Sequence, residues 1–397
     1  MTEPTADAPR PCARCKTNPA TLSLRAEFIC PPCFRSFALT KVVKRLAALR
    51  KSLVRLDEKR TCRYLAGLSF GPSSAALVRM LSENLEYVRA KANPRMPVAY
   101  ELLIVHVDTD LRRRNRGEVS EAERLLGRYR DRFPGLEFQC VPLSDALKLR
   151  SVDWSALPSA GVSDDPAERM RALFDGLTSV TSRADVLRLL VRHLLLARAV
   201  ENGCEALLMG CTTTALAELT LAEVAKGRGF SVPWQINDGP FPLSGNLAPP
   251  SSTSALNGAA PSTIHIYYPL RDVFRKEIHT YLNLCDPPLT DLVVPLDPDA
   301  SSADVVVSHK DLSIEEAMTR YFESVEESYP AVVTNVVRTT GRLERAGTGD
   351  GEACSVCGMA VDEKGDARWK GEIGAEARVG DGKTPRVCYG CERSIYG

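Results

Sequence analysis

Eight of the thirteen cysteines stand in four C-x-x-C pairs, Cys12/Cys15 and Cys30/Cys33 near one end of the 397-residue chain and Cys354/Cys357 and Cys388/Cys391 near the other. Two such tight turns brought together offer four thiolates in a tetrahedron with no open position, which is the arrangement of a structural Zn²⁺ site. The first two pairs enclose a loop that a small zinc knuckle can close, and the last two enclose a longer Gly- and charge-rich insert. A disulfide framework needs an oxidising compartment. Met1 to Pro11 is polar and Pro-rich, and the most apolar helical stretch, Val186 to Val200, is broken by Arg188, Arg192, His193 and Arg198. Neither a secretory leader nor a membrane span is therefore expected, and the cytosol is the expected compartment. The expected cofactor is Zn²⁺ at two structural sites. Cys62, Cys140, Cys204, Cys211 and Cys285 are scattered singly and read as small buried hydrophobes.

A chain this long can bury a core without metals, so the two sites are local staples. The formal net charge is +1, which excludes any whole-chain electrostatic argument for a nucleic-acid partner. Each four-thiolate zinc site adds about two net negative charges, so local basic clusters become the informative ones. Ten basic residues lie between Arg35 and Arg63 against only Asp57 and Glu58. Lys41, Lys44, Arg45 and Lys51 avoid the apolar positions Val42, Val43, Leu46, Leu49 and Leu53 of the same helix. They read as a phosphate-contacting face, with a merely solvated amphipathic helix as the open alternative. Arg112, Arg113 and Arg114 follow a predicted strand end, where open α/β sheets bind ligands, and with Lys41, Lys44, Arg45 and Lys51 they are the expected RNA-binding residues.

Between the cysteine units, apolar runs and helical patterns alternate. Strands are expected at Tyr64 to Leu68, Tyr100 to Val107, Leu136 to Val141, Glu205 to Met209 and Ile264 to Tyr268. Helices are expected from about Arg35 to Arg60, over Val119 to Phe133, Ala184 to Asn202, Leu216 to Lys226 and Val273 to Leu284, with one more carrying Leu77, Leu81, Leu85 and Val88. That alternation specifies an α/β fold with a doubly wound, mostly parallel sheet. The expected organisation is a zinc unit at 1–36, a basic linking helix at 37–62, the α/β domain at 63–342 and a second zinc unit at 343–397. Pro, Gly, Ser and Asn mark a long flexible insert near 235–263, a shorter loop at Ser151 to Glu168 and a linker at Arg345 to Ala353.

Where the first strand hands over to its helix the chain reads Ser69-Phe70-Gly71-Pro72-Ser73-Ser74. This resembles the S-G-G-x-D-S pyrophosphate loop of the PP-loop ATP pyrophosphatases, which adenylate a base or carboxylate before substitution. Phe70 stands at the second motif position, the first of the two glycines, and Ser73 at the aspartate. Bulk at Phe70 is expected to block the close approach of phosphate to backbone, and Ser73 lacks the carboxylate that the family uses with Mg²⁺ and ATP. Ser69, Gly71 and Ser74 remain as a vestigial phosphate loop. Tyr268-Pro269-Leu270-Arg271, Lys276-Glu277-Ile278, Tyr281, Tyr329-Pro330 and Thr334-Asn335-Val336-Val337-Arg338-Thr339 are similar to segments of the tRNA 2-thiolation branch of that family. Active members of the branch carry a G-H-N-x-D-D-type segment and a central C-x-x-C pair. Here the chain reads Gly210-Cys211-Thr212-Thr213-Thr214-Ala215 and Thr178-Ser179-Val180-Thr181-Ser182.

The resemblance implies a non-catalytic subunit of a heterodimeric tRNA sulfurtransferase that thiolates wobble uridine, with no catalytic residue of its own. Implied partners are a homologous catalytic PP-loop subunit, tRNA and a ubiquitin-like sulfur carrier bearing a thiocarboxylate. Two other readings stay open: an active ATP-dependent tRNA sulfurtransferase with an altered loop and Cys204, Cys211 or Cys285 as sulfur carrier, and a zinc-stapled adaptor without an RNA role.

Overall fold

The computed structural model describes residues 10–55, 58, 60–92, 98–113, 117–159, 161, 163–243, 263–294, 312–345, 353–361 and 387–396. Between the first two cysteine turns lies a small antiparallel hairpin, β1 (Leu22–Leu24) and β2 (Glu27–Ile29), turned at Arg25 with φ of 55°. Helix α1 (Pro31–Leu53) begins several residues earlier than its apolar periodicity predicts. Pro31 and Pro32 set helical φ where no intrahelical N–H bond is needed, so Cys33 falls in the first turn. Phe34, Ala38, Val42, Leu46 and Leu49 form its buried stripe.

The remaining elements follow as β3 (Cys62–Gly67), α2 (Pro72–Ala90), β4 (Tyr100–Asp108), α3 (Glu121–Arg132), β5 (Glu137–Pro142), α4 (Pro166–Asp175), α5 (Val180–Glu201), β6 (Ala206–Leu208) and α6 (Thr213–Ala225). Then come α7 (Val232–Ile236), β7 (Gly239–Pro242), β8 (Thr263–Tyr267), α8 (Arg275–Asn283), α9 (Ile314–Ser328), α10 (Pro330–Thr340) and, at the C-terminus, α11 (Tyr389–Tyr396). Six strands form one sheet in the order β5-β4-β3-β6-β8-β7, parallel throughout except for β7 at the edge. The chain runs outward from β3 to β5 and then crosses to β6 on the other side. The β3/β6 boundary is thus the switch point at which such sheets open a crevice beyond their C-terminal strand ends.

Both faces of the sheet are covered, as a parallel sheet requires. Leu65 points to the side of α5 and α6, whereas Tyr64 and Ala66 point to the side of α1, α2 and α8. The two cysteine units divide between the same faces. Cys12 and Cys30 pack with Phe34, Leu77 and Ile278, and Cys354, Cys357 and Cys391 pack with Leu190, Leu194 and Trp234.

Part of the expected 235–263 insert is ordered structure. Gln235 is fully buried, donating to Glu223 and Ser231, and Phe241 of β7 packs edge-on against Trp234 at 6.2 Å. The compositional signal came from residues 244–262, which lie outside the described residues. In the Ser151 to Glu168 stretch, a short 3₁₀ turn at Trp154–Ala156 is pinned by Trp154 Nε1 donating to the Leu149 carbonyl at 3.1 Å.

Candidate functional site

Strand β3 ends at Gly67, and the Ser69–Ser74 loop carries the chain into α2 at the switch point. The loop is closed on itself. Ser69 N–H donates to Ser74 Oγ at 3.2 Å, Ser74 Oγ donates to the Gly71 carbonyl at 3.0 Å, and Gly71 N–H points to Ser69 Oγ at 3.4 Å. Pro72 at the first helical position has no N–H at all. Three of the amide positions that a phosphate loop would aim at its ligand are therefore engaged or missing, a loss that attention to Phe70 and Ser73 alone overlooks.

Phe70 does not do what its bulk suggests. Its backbone is left-handed, with φ of 60°, and its ring turns into the core, stacked on His106 with centroids 4.0 Å apart and tilted against Tyr129 at 5.5 Å. The expected blockage is absent: beside the loop lies a cavity of 380 Å³ lined by Gly67, Ser69, Ser73, His106, Gly210, Cys211, Arg275 and His279, but not by Phe70. A non-glycine residue in this conformation costs about 1–2 kcal/mol, which the buried ring offsets.

The opposite wall is the Gly210–Ala215 segment after β6. Gly210 must be small, because a Cβ there would lie 3.2 Å from the Ser74 Cα. The three threonines that follow are engaged structurally. Thr212 Oγ1 caps α6 by accepting from Ala215 N–H at 3.1 Å, Thr213 Oγ1 donates to the Arg271 carbonyl at 2.7 Å, and Thr214 Oγ1 donates to Glu326. Arg275, which enters the cavity, pairs with Glu218 at 2.5 Å. Cys211 is the one cysteine among the described lining residues, and burial pushes its thiol up to about 11. Burial also pushes Cys204 up to about 11 and raises Cys285, so none of the three is poised as a thiolate.

Each cysteine unit brings its four Sγ atoms within 4.8 Å of one another. The Cys15–Cys30 and Cys357–Cys388 sulfur pairs are 3.7 and 3.8 Å apart. A tetrahedron with metal–sulfur bonds of about 2.3 Å has an edge of about 3.8 Å, so both units can hold a metal ion. Outer-sphere donors are in place: Cys30 N–H on Cys12 Sγ at 3.3 Å, Cys388 N–H on Cys354 Sγ at 3.3 Å, and the Arg228 guanidinium on Cys391 Sγ at 3.3 Å. Packed this closely the thiols titrate against one another. Hydrogen bonds with Cys357, Cys388 and Cys391 draw Cys354 down, while those of Cys357 with Cys354, Cys388 and Cys391 push Cys357 up. In the N-terminal unit the Thr17 hydroxyl and neighbouring amides draw Cys15 down to about 5, and the bond to Cys30 pushes Cys33 up to about 12. Only a bound cation allows all four to be thiolates together.

The basic residues separate. Lys44 and Lys51 are exposed on α1, and Lys41 is half-buried with its ammonium 5.7 Å from the Phe37 ring. Arg45 is a correction: it is turned inward, donating to the Tyr268 carbonyl at 3.0 Å, paired with Asp238 and with Asp272 at 3.4 Å, and lying over the Tyr267 ring. It docks α1 onto the segment after β8. Arg112 and Arg113 are exposed beyond β4, where Arg112 is held by Asp110 at 2.9 Å. Arg114 lies outside the described residues.

Residues 313–379 match the family model described as cytoplasmic tRNA 2-thiolation protein 2. A protein of that description from Phaeosphaeria nodorum is 38% identical over 97% of this chain and 94% of its own length. One from Sclerotinia sclerotiorum is 39% identical over 82% of this chain and 80% of its own. Among solved structures, the U34-tRNA thiolase NcsA from Methanococcus maripaludis, which carries a [4Fe-4S] cluster, superposes with a TM-score of 0.52 at 16% identity, covering 88% of this chain and 95% of that one. At that identity the likeness establishes the PP-loop thiolase fold and nothing further.

Proposed function

Because the chain belongs to the cytoplasmic tRNA 2-thiolation protein 2 family, with the role in tRNA thiolation that this membership carries, we propose that it acts as the non-catalytic subunit of a wobble-uridine sulfurtransferase. The observation that carries this reading is the state of the phosphate loop. Ser73 supplies no carboxylate for Mg²⁺, Pro72 supplies no amide, and Ser69 and Ser74 bond each other's loop atoms. The thiolase from Methanococcus maripaludis carries an iron–sulfur cluster. In this chain Cys211 is the one cysteine among the described residues that line the cavity beside the loop.

In this reading a homologous PP-loop partner adenylates uridine and transfers sulfur, a ubiquitin-like thiocarboxylate supplies the sulfur, and the present chain shapes the heterodimer and helps to hold tRNA in the cytoplasm. Cys12, Cys15, Cys30 and Cys33 hold one Zn²⁺, and Cys354, Cys357, Cys388 and Cys391 hold the other. Each ion fixes the chain turns around it and leaves no position for a substrate.

The test is pyrophosphate release from ATP, dependent on tRNA, by the isolated chain and by the chain with its partner. The expected result is none alone and turnover in the complex, unchanged within about tenfold by Cys211→Ala. Release by the isolated chain would favour an active sulfurtransferase instead.

A further inference from the structure

A second cavity, of 440 Å³, is lined in part by Arg271, Asp272 and Phe274, of the same segment whose Arg275 lines the cavity beside the phosphate loop. Four stretches far apart in sequence supply its cations: Arg25 at the tip of the β1–β2 hairpin, Lys41 on α1, Arg271 after β8, and Arg338 and Arg342 at the end of α10. Five cations converge there in a chain whose net charge is +1, and Asp272 is the one carboxylate in the lining.

The carboxylates nearby are already engaged. Asp272 accepts from Arg45, and Glu277 holds Arg25 at 2.9 Å. Arg271 is fixed by neutral acceptors, the Ile236 carbonyl and the Asn237 side chain at 3.2 Å. Lys41, Arg338 and Arg342 make no ion pair among the described residues, and Arg338 and Arg342 are exposed, four residues apart on one side of the helix end. Much of the arginine elsewhere is paired, as in Arg79–Glu83 at 2.6 Å and Arg275–Glu218 at 2.5 Å. Four cations without a carboxylate partner, in a concave site, focus a positive potential. Arginine's planar fork suits phosphate oxygens.

We propose that this cleft binds the phosphodiester backbone of RNA, taking two or more successive phosphates between Arg271, Lys41 and the Arg338/Arg342 pair. The proposal rests on the tRNA-holding role given above and locates it on residues away from the exposed face of α1. Position supports a polymer over a free anion. The cleft and the switch-point cavity are lined by neighbouring positions of the same two segments, Thr213 and Phe274 in the cleft and Ala215 and Arg275 in the cavity, so the cations form an extended basic surface and not a pocket for one anion. Single-stranded or looped RNA presents successive phosphates that such a cluster can contact without reading bases.

The test uses the full-length chain, labelled tRNA and a salt titration. Arg338→Ala with Arg342→Ala removes two exposed, unpaired guanidinium groups, and Arg169→Ala with Arg393→Ala is a charge-matched control on exposed residues away from the cleft. The cleft variant is expected to weaken tRNA binding about tenfold or more near 0.1 M salt, and to flatten the slope of log K against log salt by roughly 1.4 to 1.8. The control should leave both nearly unchanged, and thermal unfolding of either variant should match the parent. Equal losses in the two variants, or none in the cleft variant while the parent binds, would overturn the cleft and leave the tRNA-holding role intact. A parent chain with no tRNA affinity at low salt would sink both. Loss of inorganic pyrophosphate binding alone would make the cleft a small-anion site, and loss of copurification with the catalytic partner alone would make it a protein interface. Either result refutes the proposal.

Discussion

Arg228, just beyond α6, donates from Nη2 to the Cys391 sulfur at 3.3 Å while the same guanidinium holds both oxygens of Asp185, at 2.9 and 2.5 Å. One buried side chain thus joins the C-terminal cysteine unit to the middle of the fold. Ser394 closes the ring by donating to Asp185 at 2.7 Å, and Lys226 and Glu223 extend it. Burial pushes the Asp185 carboxyl up, but Arg228, Arg188 and Lys226 outweigh it and hold the group below the ordinary carboxylate range. The C-terminal unit is accordingly no loose appendage, although a Gly-rich linker and a separate zinc motif suggest one.

Arg228→Met should therefore do two things. It leaves Asp185 buried with fewer cations, a change that costs about 3–5 kcal/mol. It also removes an outer-sphere donor from the metal site, which in comparable sites costs about 10–100-fold in metal affinity. Chelator-driven metal release should accelerate for one of two bound equivalents. Unchanged release kinetics for both would show that Arg228 acts on packing alone.

A second link between the unit and α5 gives a pH dependence. His193 Nε2 donates to the Val356 carbonyl at 2.9 Å and Nδ1 accepts from Ser151 at 3.1 Å. Gly358, with φ of 68°, lets the ring come this close. Burial lowers His193 to about 4. The unfolded chain takes up a proton near 6.5, and the folded chain does so only near 4. Stability should fall as pH drops from about 6.5 to 4, by up to about 1.4 kcal/mol per unit. Urea midpoints at pH 7 and 5.5, with metal content checked at both, should differ in the parent and much less in His193→Gln. Equal differences would clear His193 of the effect.

The α/β alternation, all five predicted parallel strands and the eight clustered cysteines were legible because each is a local pattern: a run, a period or a spacing. What escaped depends on partners remote in sequence. The direction of the Phe70 ring is set by His106 and Tyr129, and no local rule gives the sign of its φ. Arg45 reads as outward because it flanks the buried stripe of α1, yet its long stem reaches Asp238 and Asp272. The structural engagement of Thr212, Thr213 and Thr214 requires Arg271 and Glu326 to be in place. Pro72 is a local signal as well, since a proline immediately after the loop glycine means a missing phosphate donor.

Phe70 offers a stability test in which two effects compete. Phe70→Ala removes the ring stacked on His106 but keeps a Cβ at φ of 60°, and should cost about 3–5 kcal/mol. Phe70→Gly loses the same ring and releases the left-handed strain, less the extra flexibility of glycine, so it should be more stable than the alanine variant by about 1 kcal/mol. Denaturant unfolding of the pair decides the matter. A glycine variant no more stable than the alanine variant would mean that the loop does not hold this conformation in solution.

Helix α1 separates two roles that its composition merges. Arg45 is largely enclosed and bonded to Asp238, Asp272 and the Tyr268 carbonyl. Arg45→Ala should therefore lower stability, by about 2 kcal/mol after allowing for the partial exposure of both carboxylates. Its effect on tRNA affinity should be indirect, following the loss of fold. Lys44 and Lys51 are exposed, and Lys44→Ala with Lys51→Ala should shift stability by less than about 0.5 kcal/mol. If α1 lies along RNA, that pair should flatten the salt dependence of binding by roughly 0.7 to 0.9 for each phosphate left without its cation. The measurement is a parallel urea and salt titration of the two variants. A Lys44/Lys51 variant that binds tRNA normally at every salt concentration would confine RNA binding to the cleft behind α1, with the helix serving only to carry Lys41 and Arg45 into place.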